Sequence, residues 1–260
     1  MTTENKMTIH SLDDALRAHL DNSKQRWLDK AITDIRAHAD NQEIQLTFSA
    51  MARRKLGSDI LLQPQQWTTD EAARTILLHG YTQVCDDRQT AIWQAYKAGD
   101  EFEKIAIIKA LHLLDSSGDL VELARHAGRT NNTALFAALA LNNPYPVAHY
   151  DESAFHQLIL KALFMDLNIE TVFRLRSRHS QLLSQKCMEL VHERLAAGRK
   201  PPVSIWLAIQ IEHLSQNDEA LMLEFLEHED EAQRHYCLLA LKQSSLYDKY
   251  RSLIASRDTK

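Results

Sequence analysis

The segment EFEKIAIIKALHLLD, residues 101–115, constrains the fold of this chain more than any other stretch. Ile105, Ala106, Ile107, Ile108, Ala110, Leu111, Leu113 and Leu114 leave a helix there almost no polar face, so it has to be packed on more than one side. Asp100 and Glu103 form the capping box that opens it. Its expected place is the centre of the molecule.

The remaining composition can surround such a helix with others. There are 37 leucines and 30 alanines against 16 isoleucines and 6 valines, and 6 glycines with 5 prolines are too few for the turns of many short strands. An all-β fold is excluded. A chain of 260 residues buries roughly three quarters of its unfolded surface, which also excludes global disorder. The 30 basic and 35 acidic residues are mixed along the chain and sum to −5, so no nucleic-acid partner is expected. Cys85, Cys187 and Cys237 are odd in number and far apart, which fits buried reduced thiols and neither a disulfide framework nor a CxxC metal site. The start MTTENKMTIHSLDD has neither the charge nor the apolar core of a secretory signal, and no apolar run reaches the ~18 to 20 residues of a membrane span. Cytoplasmic residence is the resulting expectation.

Read along the chain, the sequence predicts a flexible stretch over 1–10 and a first helix over 12–38 that Ser11 and Asp14 open. Residues 43–56 are read as helix. Gly57 and Pro64 punctuate a loop, Thr68 to Glu71 open a helix ending near Gly80, and another runs from about Cys85 to Gly99. Short helices follow over about 120–127 and 132–141. After the proline-dense loop Asn142-Asn143-Pro144-Tyr145-Pro146 come helices over roughly 152–165, 179–197, 203–214, 218–227, 230–242 and 245–255. Consecutive helices on short turns point to one all-α domain over 1–260, built as layered helical hairpins, either HEAT-like or an irregular α-solenoid.

Polar side chains of functional type concentrate between Arg129 and Phe164. Proline at 144 and 146 fixes φ and should present Tyr145 on a stiff loop, where it either lines a pocket or plugs a gap between helices. His149, Glu152 and His156 share a helical face and could hold a divalent metal, although the HExxH spacing is absent and solvent-facing histidines are the alternative. Gln157, Lys161 and Phe164 form a second stripe, in which Lys161 either meets an anion or snorkels to water. Arg129 and Asn131 could join it in an anionic small-molecule pocket. The cluster Arg174, Arg176, Arg178 could meet an anionic partner or lipid head group but reads as a solvated face, and the acidic patch from Glu224 to Glu231 lacks the twelve-residue loop and glycine of a calcium site. Phosphate loops, DxD pairs and a GxSxG elbow are missing from the sequence, which weakens the common enzyme classes.

Arg129-Thr130-Asn131, Asn143-Pro144-Tyr145-Pro146, His149-Tyr150, Phe155, Gln157 and Lys161-Ala162-Leu163-Phe164 together resemble the EboA domain family. The resemblance is strongest over 120–200, where Glu193 to Arg199 also fits. His156 departs from the asparagine-like residue usual beside Phe155 and Gln157, which weakens a metal reading. The resemblance implies a soluble helical protein encoded beside a membrane prenyltransferase-like protein and metal-dependent barrel proteins, a gene set associated with making or moving a secondary metabolite or its precursor across the cytoplasmic membrane. It assigns no catalytic residue. The expected function is therefore a non-catalytic accessory or scaffold protein without a cofactor, which binds a pathway protein or a small-molecule intermediate and contacts the membrane protein peripherally. Arg129, Asn131, Asn143, Tyr145, His149, Tyr150, Gln157, Lys161 and Phe164 are the binding candidates. The alternative is a small-molecule enzyme, metal-assisted, using His149, Glu152, His156 and Lys161.

Overall fold

The computed structural model of the chain describes residues 7–62 and 66–255, and its contacts divide it into two compact units, one ending at His149 and one starting at Tyr150. Pro64 and the first six residues of the expected flexible start lie outside the described residues. The class is all-α, as the succession of helical segments predicts.

The first unit contains α1 (Ile9–His19), α2 (Asn22–Ala37), α3 (Gln42–Leu56), the short antiparallel pair β1 (Ile60–Leu62) and β2 (Trp67–Thr68), then α4 (Thr69–Thr82), α5 (Arg88–Ala98), α6 (Glu101–Leu114), α7 (Val121–Ala127), α8 (Thr133–Ala140) and α9 (Pro144–His149). The single helix expected over 12–38 is two helices. Thr8 and Ser11 form the capping box of α1, and extended backbone at Leu20 ends that helix. Asp21 then opens α2 by accepting the amides of Ser23 and Lys24 at 2.8 and 2.9 Å. Asp21-Asn22-Ser23 is thus a start signal set inside an otherwise continuous apolar period.

The centre of this unit is α4 and not α6. Every residue of α4 except His79 is buried, and α1, α2, α3, α5 and α6 all pack against it. Its charged residues tolerate this because they are paired, while the buried Thr69 hydroxyl has no hydrogen-bond partner. The Arg74 guanidinium meets Asp70 Oδ2 at 2.7 Å, with only 4% and 3% of the two side chains exposed. Arg74 Nε also donates to Ser49 O at 3.2 Å, and the Thr68 hydroxyl donates to Asp70 Oδ1 at 2.6 Å. Glu71 completes the capping box at Thr68 and receives Lys109 Nζ from α6 at 2.8 Å. One end of α6 meanwhile exposes Phe102, over which the Arg53 guanidinium stacks at 4.1 Å.

The proline-dense stretch is the helix α9, because proline in a first turn lacks only an amide that would have had no partner there. The residue just before it, Asn143, donates to Ile108 O and Ala138 O at 3.0 and 2.9 Å and accepts the amide of Tyr145. The Tyr145 hydroxyl donates to Asp115 Oδ2 at 2.5 Å, and the ring is wholly buried. Asp115, which ends α6, also accepts the amides of Ser117, Gly118 and Leu120 and the Ser117 hydroxyl. Burial alone would raise its pKa. The bonds from Tyr145, Leu120, Ser117 and Gly118 outweigh that and hold the carboxyl at about 2. Gly118 has a φ of +89°, and a Cβ there would stand 2.6 Å from His149 Nδ1, so the turn after α6 and the end of α9 fit only through a glycine.

The second unit contains α10 (Glu152–Phe164), α11 (Gln181–Ala196), α12 (Gln216–Glu224), α13 (Glu231–Lys242) and α14 (Tyr247–Ala255). The α-helix expected over 203–214 is instead the 3₁₀ turns Val203–Ala208 and Ile211–His213. The amides of Ile205 and Ile209 bond three residues back, and that of Gln210 goes to Ser184 Oγ on α11, so tertiary bonding replaces the helical ladder. Trp206 is anchored by its indole N–H, which donates to the buried Gln233 of α13 at 2.8 Å, while Gln233 Nε2 donates to Pro201 O at 2.6 Å.

Two outcomes are expected from these contacts. Arg74→Ala strands a buried carboxylate and should cost about 3 to 5 kcal/mol in urea unfolding, whereas Arg74→Met combined with Asp70→Leu should recover much of that loss. Asp115 has a folded pKa below its ordinary 3.8, so its contribution is full above that value and is lost as pH falls through about 2. Compared by acid unfolding, the wild type should lose about 2 kcal/mol between pH 4 and 2 that Asp115→Asn does not lose there.

Candidate functional site

Two helix starts build a recess of the second unit. Asp151 caps α10 by accepting the Ala154 amide at 2.7 Å, and Ser180 caps α11 by accepting the Leu183 amide at 3.1 Å. Between them lies a cleft of about 420 Å³, with Glu152, His156, Gln157 and Leu160 on α10 and Leu182 and Lys186 on α11. Asp151 and Ser153 complete its lining. Leu182 is 48% exposed, so the cleft keeps an open apolar ledge beside its charges.

His156 is the unusual group. It is 1% exposed, and its Nε2 lies 3.0 Å from Ser180 Oγ and 3.6 Å from Glu152 Oε1. Its Nδ1 is buried without a hydrogen-bond partner, a condition that costs roughly 1–3 kcal/mol unless a water or a ligand meets it. Burial lowers its pKa, Glu152 opposes that, and Lys186 and Arg178 lower it further, so the imidazole is neutral at neutral pH. Arg178 lies over the Phe155 ring at 4.7 Å and donates to Tyr150 O, which braces the buried side of α10.

Ser180, His156 and Glu152 do not form a nucleophilic relay. In such a relay the carboxylate holds the ring nitrogen that the serine does not use, but here both neighbours face Nε2, and the Ser180 hydroxyl also caps a helix. Burial raises the pKa of all three cysteines, that of Cys187 to about 12, which leaves them as thiols. The arrangement is suited to holding a ligand by hydrogen bonds and opposed charges over an apolar ledge.

The binding candidates divide between the two units. In the first, Arg129 and Asn131 are exposed, Asn143 and Tyr145 are buried, and His149 is half-buried with its ring 4.6 Å from that of Tyr145. Tyr145 therefore fills the gap between helices, and the expectation of a ring presented on a loop is corrected by its bond to Asp115. In the second unit Tyr150 is buried, Gln157 is exposed, Lys161 is half-buried with its pKa lowered by burial, and Phe164 is 71% exposed. Of the suggested metal set, Glu152 and His156 are neighbours, while His149 belongs to the other unit. Among the described residues no group of three or more His, Cys, Asp or Glu side chains could hold a metal ion. The reading of the sequence missed Ser180, Leu182 and Lys186, because the periodicity of α11 marks its buried stripe and not which helix its flank faces. Arg176 and Arg178 from the basic cluster donate to Gln243 O and Tyr150 O.

The fold is thus an all-helical one whose second unit offers a recess for a small ligand. A family model described as "Metabolite traffic protein EboA" matches residues 8–210, and the chain belongs to the EboA family. The match includes the whole α10–α11 cleft and ends before α12. No curated protein and no solved structure matches the chain. No described helix is long and apolar enough to cross a membrane.

The pKa of His156 lies below its ordinary 6.5, so the stability it contributes is full above pH 6.5 and is lost as pH falls through the lowered value. By NMR titration, Lys186→Gln should raise the His156 midpoint and Glu152→Gln should lower it, since each removes a charge that now acts on the ring.

Proposed function

We propose that the protein is a non-catalytic accessory of a secondary-metabolite biosynthesis or precursor-export pathway, and that it holds a small polar intermediate in the α10–α11 cleft. The observation that carries this reading is His156, buried with one ring nitrogen unpartnered, in a cleft whose other groups are two carboxylates, a hydroxyl, an ammonium, an amide and two leucines. The volume of about 420 Å³ lies in the range of small-molecule sites. The family description as a metabolite traffic protein supports the same reading. Passing the intermediate on calls for contact with other pathway proteins, among them a membrane prenyltransferase-like protein met from the cytoplasmic side. Phe164, strongly exposed at the end of α10, is an apolar anchor of the kind such contacts use.

Native mass spectrometry of protein purified from its own host tests the proposal. Wild type should carry a small molecule that His156→Ala and Lys186→Ala lose at least about tenfold, with far-UV spectra unchanged. Equal occupancy in folded variants would remove this cleft as the site.

A further inference from the structure

The first unit has a cleft of its own. It measures about 450 Å³ and lies between α1, α2 and α4, with Ile9, Ile32 and Ile76 as its apolar part. Its charges are unequally engaged. Arg17 Nε is held by both oxygens of Asp13 at 3.0 and 2.9 Å, and its Nη1 by Asp29 at 2.7 Å. This triad occupies both carboxylates of the cleft. Arg36 is exposed and makes no ion pair among the described residues. It stands seven residues beyond Asp29 on the same helix, which places it about 10 Å along the axis from the triad. His79, the one residue of α4 that is not buried, lines the cleft, and its Nδ1 has no hydrogen-bond partner. Burial lowers its pKa, and the nearby Arg88 and Arg36 lower it further, so the ring is neutral and beside positive charge.

We propose that this cleft is a second ligand site, separate from the one on α10 and α11, and that it takes an amphipathic organic monocarboxylate. The carboxylate pairs with Arg36 beside the His79 imidazole, and the apolar body rests on the three isoleucines. Two features select this class. The positive group is the one left without a partner, so the site favours an anion over an amine. The four permanent lining charges, Asp13, Asp29, Arg17 and Arg36, sum to zero, so a multiply charged phosphate gains little field, whereas an apolar chain gains burial.

The test is an NMR titration of the full chain with octanoate, with octanamide and inorganic phosphate as comparison probes. Octanoate should shift the δ1 methyls of Ile9, Ile32 and Ile76 and raise the His79 midpoint, because a bound anion stabilises the protonated ring. Arg36→Gln, a change at an exposed side chain, should weaken octanoate about tenfold. Equal shifts from octanamide or phosphate, an unmoved His79 midpoint, or unchanged affinity in Arg36→Gln would overturn the assignment. Because none of these residues lies on α10 or α11, neither result bears on the site proposed there.

Discussion

Two opposite charges inside α4 set the terms for everything packed around it. Asp70 and Arg74 lie one helical turn apart, almost without solvent, and a pair in that position is favourable only while every remaining donor and acceptor is met. Ser49 O and the Thr68 hydroxyl meet two of them, which ties α3 and the start of α4 to a single arrangement. The ion pair adds little stability by itself compared with the leucines around it. What it supplies is discrimination, because a helix that slid or rotated against α3 would strand a charge in a medium that cannot solvate it.

The same logic, at smaller scale, places the groups that can meet a ligand. Asp151 and Ser180 each satisfy amides at the start of a helix, and in doing so bring Glu152, His156 and Lys186 to one recess. Asp115 does the opposite for Tyr145: by collecting the phenol with the amides of the following turn, it holds the ring in the interior. One carboxylate cap thus assembles a surface while the other removes a side chain from one.

Much of the architecture was legible because local signals and burial agree. The capping boxes at Thr68 and Asp100 opened the helices expected of them, and Gly99 ended one. Reading failed where a tertiary contact decides. A continuous apolar period hid the break at Asp21, and nothing in the polar letters of TDEAARTILLHGYT marks α4 as the central helix, because its charges are answered by α3 and α6. The 3₁₀ turns after Pro202 depend on Ser184, which is far away in sequence. The polar cluster between 149 and 161 was visible as a set of residue types, and His156 with Glu152 does line a recess. The other wall of that recess came from α11, whose facing side no single-helix pattern can name.

The bond between Trp206 and Gln233 has a bearing on where this family's folding unit stops. Residues 8–210 match the family, but the indole at 206 and the carbonyl at 201 are both answered by one glutamine beyond that limit. A fragment cut at 210 would open the largest aromatic ring of the second unit to water and leave its N–H with no protein acceptor. Relatives that end early, or that carry a different tail, would have to supply another acceptor for that ring, so an amide side chain arriving from outside the matched region is a marker to seek when their boundaries are drawn.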